Sequence, residues 1–111
     1  MSAQRLRDAA KVLRELAEAA TPGPWYQGRD GQYESLRDVY SQREPDDDDS
    51  HDIATYIWSD ADAAYIATMH PGVALALADW LEHQSGYRRG EHVWSTDNAL
   101  RVADLILGAT P

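Results

Sequence analysis

The chain has 111 residues, of which 43% are hydrophobic, contains no cysteine and carries a net charge of −9. One domain is expected at this length, and the lack of cysteine excludes disulfides, thiolate zinc sites and cysteine nucleophiles. No apolar stretch approaches the roughly 18 residues that a membrane-spanning helix needs, and no secretory signal is visible, so we expect a cytoplasmic protein.

The negative charge is concentrated in the middle of the chain. From Glu44 to Tyr87 the sequence has ten carboxylates and no Lys or Arg, whereas the two flanks hold the other nine carboxylates and all ten basic residues. A field of this sign repels nucleic-acid phosphates and anionic lipids. We therefore expect neither direct nucleic-acid binding nor a membrane partner, while a basic partner protein, a metal cation or solubility alone stay open as explanations.

The first predicted element is a helix over residues 1–20. Leu6, Leu13 and Leu16 recur at three- and seven-residue steps, which indicates an amphipathic helix with one apolar stripe. Pro24 and the residues just before it end this helix, because proline excludes the preceding residue from helical space.

An antiparallel sheet of about three strands is predicted over residues 25–58. Trp25 to Tyr40 has the turn residues and partial alternation of a β-hairpin, and Ile53 to Trp58 is rich in the β-branched and aromatic residues typical of a third strand. The acidic loop 44–52 between them is expected to stay solvated. Three tryptophans are expected in the core: Trp25, Trp58 and Trp80.

Residues 59–84 predict a helical hairpin that is broken at Pro71. Ser59 or Asp60 is placed to cap the first of its helices, and His70 is expected to close that helix, where a cation favours the helix dipole. Pro71 is well suited to the first position of the second helix.

A short C-terminal helix is predicted over residues 97–108. It is apolar nearly all round, so either it is central to the fold or one face contacts another copy in a homodimer. The sequence thus predicts an α+β fold, with residues 1–111 forming a single domain of N-terminal helix, small antiparallel sheet, helical hairpin and C-terminal helix.

The sequence contains no recognisable catalytic or metal-binding arrangement. The run Asp46 to Asp49 offers hard oxygen ligands, but it lacks the alternation and the glycine of a calcium-binding loop. No catalytic triad order, phosphate-binding glycine loop or dinucleotide motif is visible. We therefore predict a protein that is not an enzyme, with no catalytic residue, no metal site and no cofactor, and leave cation binding by the aspartate run open.

Two groups of residues are candidates for binding. The first is an acidic surface that would face a basic partner protein, formed by Asp46, Asp47, Asp48, Asp49, Asp52, Asp60 and Asp62. The second is an alternative ligand-contact surface, in which aromatic rings would stack on a nucleotide or another small molecule and arginines would bind its phosphate. Its members are Tyr87, Arg88, Arg89 and Trp94.

Two motifs resemble a known family. The sequence L-R-E-L-A-E-A-A-T-P-G-P-W at 13–25, followed by D-A-A-Y-I-A-T-M-H-P-G-V-A-L-A-L-A-D-W-L-E at 62–82, resembles the Ead-like early-region accessory proteins of temperate bacteriophages and prophages. The resemblance implies phage origin and an accessory, host-facing role without an established enzymatic activity. Many relatives continue into a long coiled coil, which is not implied here because Gly86 and Gly90 interrupt the helix.

From these observations we expect a non-enzymatic phage accessory protein. It would bind a host protein through its acidic surface and modulate or inhibit a host system. A protein that sequesters a small molecule or nucleotide is the alternative, and a small enzyme comes third.

Overall fold

A computed structural model describes residues 2–29, 35–43, 51–86 and 93–108. The elements in chain order are α1 (Ser2–Ala19), β1 (Tyr26–Gln27), β2 (Val39–Tyr40), β3 (Asp52–Ala54), α2 (Asp60–Thr68), α3 (Pro71–Ser85) and α4 (Val93–Gly108). Helices and a three-stranded antiparallel sheet confirm the predicted α+β class. The chain divides into a helical unit, Met1–Ala19 with Ala74–Pro111, and a sheet unit, Ala20–Val73. The assignment of 1–111 to one domain stays a prediction.

The helical unit is built from α1, α4 and most of α3. Its small buried side chains let the helix backbones approach closely, and leucines fill the remaining space. The fully packed members are Leu6, Ala9, Ala10, Ala78, Leu81, Ala99 and Ala103. An ion pair of 2.6 Å joins Arg5 near the start of α1 to Asp104 near the end of α4, as expected of two antiparallel helices. Trp80 is partly buried against this core, as predicted.

Arg14 of α1 bonds to both outward carboxylates of α3. Its guanidinium donates to Glu82 at 2.7 and 3.1 Å and to Asp79 at 2.7 Å. These hydrogen bonds, first to Glu82 and then to Asp79, raise the pKa of Arg14. Two of the ten carboxylates in the middle of the chain are therefore paired with a cation from its flank, so the segment is less negative in space than its sequence suggests.

Two expectations for the helical unit need correction. Leu16 is 64% exposed, because it lies at the edge of the α1 stripe and Ala17 takes the buried position in the last turn. The C-terminal helix begins at Val93, four residues before the predicted start, and spans 16 residues. One of its apolar side chains, Leu105, is 75% exposed to solvent. The homodimer stays a prediction.

The sheet unit has β2 at its centre and β1 and β3 on either side, both antiparallel to it. Tyr26 lies opposite Tyr40 in the first ladder, which confirms the predicted hairpin with strands shorter than expected. Val39 is fully buried and packs against Ala63 and Ala67 of α2. One face of the sheet is thus covered by a helix, as a small antiparallel sheet requires.

The third strand and one predicted core tryptophan differ from expectation. The strand covers Asp52–Ala54 rather than Ile53 to Trp58, because Tyr56 adopts a left-handed backbone with φ of 56° that ends the extended conformation. The prediction that Trp58 is a core residue is wrong, since it is 88% exposed. Trp25 is partly buried against the sheet-unit core, as predicted, and its indole N–H donates to the carbonyl of Thr21 at 3.0 Å.

The break between α2 and α3 is organised by His70. Ser59 caps the start of α2 as predicted, but α2 ends at Thr68 and His70 does not close it. Because Pro71 pushes the preceding residue out of helical space, His70 instead caps α3: its Nδ1 accepts from the Gly72 N–H at 3.1 Å, and its carbonyl accepts from the Val73 N–H at 2.9 Å.

Replacing His70 tests this cap. His70→Ala removes the acceptor for the Gly72 N–H and should lower the free energy of unfolding by about 1 kcal/mol. His70→Asn keeps a side-chain acceptor of the type that helix N-termini favour and should lose clearly less. Urea unfolding of both variants measures the difference. Equal losses would show that the contribution of His70 comes from packing and not from the cap.

Tyr40 offers a second test through pH. The residue is 3% exposed and its hydroxyl donates to Asp38 Oδ2 at 2.8 Å. Burial, and next this hydrogen bond, raises the pKa of Tyr40 above its ordinary value of 10.0. The folded state therefore binds the phenol proton more tightly than the unfolded chain, and the associated stability is complete below about pH 10 and is lost as the pH rises above it.

The free energy of unfolding should consequently fall more steeply above about pH 10 in the natural protein than in Tyr40→Phe. Near neutral pH the variant should be less stable by about 1 kcal/mol, because Asp38 loses a donor. Denaturant titrations at several pH values measure both effects. Parallel pH profiles for the two proteins would contradict the assignment.

Candidate functional site

The segment after β3 is bonded to the sheet unit while it displays two aromatic side chains. The Tyr56 N–H donates to Asp38 Oδ1 at 2.9 Å, and the Ile57 N–H donates to the carbonyl of Arg37 at 3.0 Å. Ile57 is partly buried against the sheet-unit core. Tyr56 and Trp58 on either side of it are 93% and 88% exposed. The backbone here is thus fixed, and the large side chains point to solvent.

The conformation of Tyr56 has an energetic cost. A non-glycine residue in the left-handed region is less stable by roughly 1–2 kcal/mol than in the right-handed region. Its hydrogen bond to Asp38 fixes the conformation, but an almost fully exposed ring returns no burial energy. Glycine would suit this backbone better. A tyrosine at such a position points to a role for the side chain outside the folding of this chain.

The start of α2, which follows directly in the chain, also displays polar and aromatic side chains. Ser59 Oγ accepts from the Asp62 N–H at 3.1 Å, and Asp60 and Asp62 occupy the first turn, where their charge suits the helix dipole. Tyr65 is 68% exposed and follows Asp62 by three residues on the same helix face. We name these residues the aromatic–acidic surface: Tyr56, Trp58, Asp60, Asp62 and Tyr65.

The predicted acidic residues fall partly on this surface. Asp60 and Asp62 belong to it, and Asp52 is exposed on β3. Asp46, Asp47, Asp48 and Asp49 lie outside the described residues. The acidic partner-binding surface as a whole therefore stays a prediction.

The alternative ligand-contact surface lies almost entirely outside the described part of the chain. Tyr87, Arg88 and Arg89 precede the described range that begins at residue 93, and only the backbone of Trp94 falls within it, in α4. This surface also stays a prediction.

A second candidate site is an open cleft of about 340 Å³ between β1 and α2. We name it the arginine cleft, and its lining residues are Trp25, Tyr26, Gln27, Arg29, Arg43, Ala64, Ala67 and Thr68. The guanidinium carbon of Arg43 lies 4.7 Å from the ring centroid of Tyr26, a cation–π contact. Two cations and two aromatic rings thus face one space.

Hydrogen bonds fix the floor of this cleft. Gln27 Nε2 donates to the carbonyl of Leu36 at 2.7 Å and to the carbonyl of Asp60 at 3.0 Å, which uses both amide protons and ties β1 to the start of α2. The Thr68 hydroxyl donates to the carbonyl of Ala64 at 2.9 Å, so its oxygen lone pairs are left as acceptors.

Residues 2–29, 35–43, 51–86 and 93–108 contain neither a metal-binding group nor a membrane-spanning helix. Among those residues, no three histidine or acidic side chains group together as a metal site would need. None of the helices in the same ranges is long and apolar enough to span a bilayer.

Sequence reasoning missed both the display of Tyr56 and the arginine cleft. The exposure of Tyr65 could have been found, because it shares a helix face with Asp62. The cleft could not, since Arg29, Arg43 and Thr68 come from three separate segments and only the fold brings them together.

Comparison with known proteins gave one match. A family model described as Ead/Ea22-like protein matches residues 7–106. Searches of curated proteins and of solved structures found no match.

The cost at Tyr56 can be measured with two substitutions at one position. Tyr56→Ala removes the exposed ring but keeps a Cβ, so its stability should stay within about 0.5 kcal/mol of the natural protein. Tyr56→Gly also relieves the left-handed strain and should be more stable than Tyr56→Ala by about 0.5–1 kcal/mol, after the entropy cost of glycine. Chemical denaturation compares them. If the glycine variant is less stable than the alanine variant, the backbone at residue 56 is not strained.

Proposed function

The chain belongs to the Ead/Ea22-like family, which is associated with phages, and we propose that it is a non-enzymatic accessory protein that binds a host protein. Binding occurs through the aromatic–acidic surface and modulates or inhibits the host system to which the partner belongs. The observation that carries this proposal is Tyr56, whose ring is 93% exposed on a backbone conformation that favours glycine.

The composition of the surface suits protein recognition. Tryptophan and tyrosine are the residues that most often dominate binding energy in protein interfaces, because each removes a large rigid area from water on binding. Trp58, Tyr56 and Tyr65 are all more than two-thirds exposed in the chain as it stands. Because the backbone of these residues is already held in place, less conformational entropy is lost when a partner binds.

The charges define the partner more closely. Asp60 and Asp62 are exposed and lie between Trp58 and Tyr65 in the sequence, and Asp52 adds a third exposed carboxylate in the same unit. The complementary surface is therefore basic, with apolar recesses that accept the rings. Charge pairing of this kind mainly speeds association and selects the partner, while the buried rings set the lifetime of the complex.

The proposal is tested by affinity capture from host cells, followed by binding measurements with the purified partner. The natural protein is compared with the double variant Trp58→Ser, Tyr65→Ser, which removes two exposed rings without opening the core. The matched control is Leu105→Ser, which removes a 75% exposed apolar side chain from the helical unit. We expect a partner that the natural protein and the control both capture, with affinity at least about tenfold weaker for the double variant.

Charge is tested separately with Asp60→Asn, Asp62→Asn. This variant should slow association at low salt and flatten the dependence of the association rate on ionic strength. A partner bound equally well by the natural protein and by the Trp58, Tyr65 double variant would overturn the proposal. Equal weakening by the Leu105 control would do the same, because it would place the interface elsewhere.

A further inference from the structure

We infer that the arginine cleft binds a small organic anion that carries a planar ring. This site uses side chains other than those of the aromatic–acidic surface, so the inference does not depend on protein binding. It rests on the basic residues that line the cleft, on the aromatic and small side chains beside them and on the contact of Arg43 with Tyr26.

The described lining of the cleft is basic, although the unit around it is mostly acidic in sequence. Residues 20–73 contain eleven carboxylates and three arginines. Two of those arginines, Arg29 and Arg43, line the cleft, whereas none of its described lining residues is acidic. The Arg43 guanidinium thus places a cation in the lining of the cleft, and a cation in a concave site attracts anions.

The walls favour a flat apolar group beside the anion. The Trp25 indole is fixed by its bond to the carbonyl of Thr21 at 3.0 Å, and Trp25 lines the cleft. Ala64 and Ala67 on α2 also line the cleft, and their side chains are small. A planar ring that enters this space contacts an aromatic surface and two methyl groups, a combination typical of small-molecule sites.

Arg43 is the residue that would bind the anionic group. Its guanidinium carbon lies 4.7 Å from the centroid of the Tyr26 ring. The planar guanidinium carries N–H donors that can bind a carboxylate or phosphate through two parallel hydrogen bonds. Because the stacking restricts the side chain before binding, less entropy is lost when the anion arrives.

The size of the cleft limits the ligand. A volume of about 340 Å³ is at the small end of ligand pockets. It suits one planar ring system with one anionic group, such as the base and phosphate of a mononucleotide or an aromatic carboxylate.

Calorimetric titration of the full chain with four probes tests the inference. Adenosine 5′-monophosphate carries a ring and a phosphate, and 4-hydroxybenzoate carries a ring and a carboxylate. Adenosine lacks the anion, and ribose 5-phosphate lacks the planar ring. We expect at least one of the first two to bind, and the stronger of them identifies the anionic group. The last two should bind at least about tenfold more weakly than that probe.

Arginine substitutions then locate the site. Arg43→Gln should weaken the binding probe at least about tenfold. Arg37→Gln removes the same charge from the same unit but outside the cleft lining, and should leave the affinity within about twofold. Arg43→Lys keeps the charge but loses the planar donors, so its affinity for the probe should lie between those of Arg43→Gln and Arg37→Gln. This variant keeps the test valid if Arg43→Gln fails to fold.

Two results would overturn the inference. The first is the absence of binding by any of the four probes at millimolar concentration. The second is equal weakening by Arg37→Gln and the Arg43 variants, because binding would then depend on overall charge and not on the cleft. Neither result bears on the partner-capture experiment, which uses Trp58 and Tyr65.

Discussion

The His70 imidazole packs between two glycines and thereby joins two segments of the sheet unit that are far apart in sequence. A Cβ at Gly23 would come within 2.5 Å of its Nδ1, and a Cβ at Gly72 would come within 2.7 Å of its Cε1. The ring therefore occupies the space that both glycines leave, while its Nδ1 caps α3. Gly23 belongs to the first of the two motifs that resemble phage proteins, and His70 with Gly72 belongs to the second, so the motifs meet at this ring.

The features that sequence predicted are those set by neighbouring residues. Ser59 caps α2 and Pro71 is the first residue of α3. Pro24 follows the end of α1 and does not allow the helix to continue. Each of these residues acts on the backbone within a few positions. The third strand was predicted too long because its β-branched and aromatic composition is a local signal. What ends it is the bond from Tyr56 to Asp38, 18 residues earlier in the chain, and no propensity scale contains that contact.

The charge of the functional surfaces is likewise decided by residues that are far apart in sequence. The negative middle of the chain was visible from composition, but Arg14 reaches Asp79 and Glu82 from 65 and 68 residues away. A charge count along the sequence cannot reveal such neutralisation. Conversely, Arg29 and Arg43 are each followed by an acidic residue in the sequence, and the fold brings them to one cleft. Local charge in space, and not charge along the chain, therefore decides which partner or ligand each surface suits.

The meeting of Gly23 with His70 also bears on how such a chain can evolve. The sheet unit interrupts the helical unit in sequence, entering after Ala19 and leaving before Ala74. Its entry and exit segments are adjacent because Gly23 and His70 are in contact. An inserted segment whose two ends lie together can be exchanged or deleted with little change in the path of the host chain. Residues 20–73 thus begin and end close together, which is the geometry that tolerates the insertion of a segment into a chain.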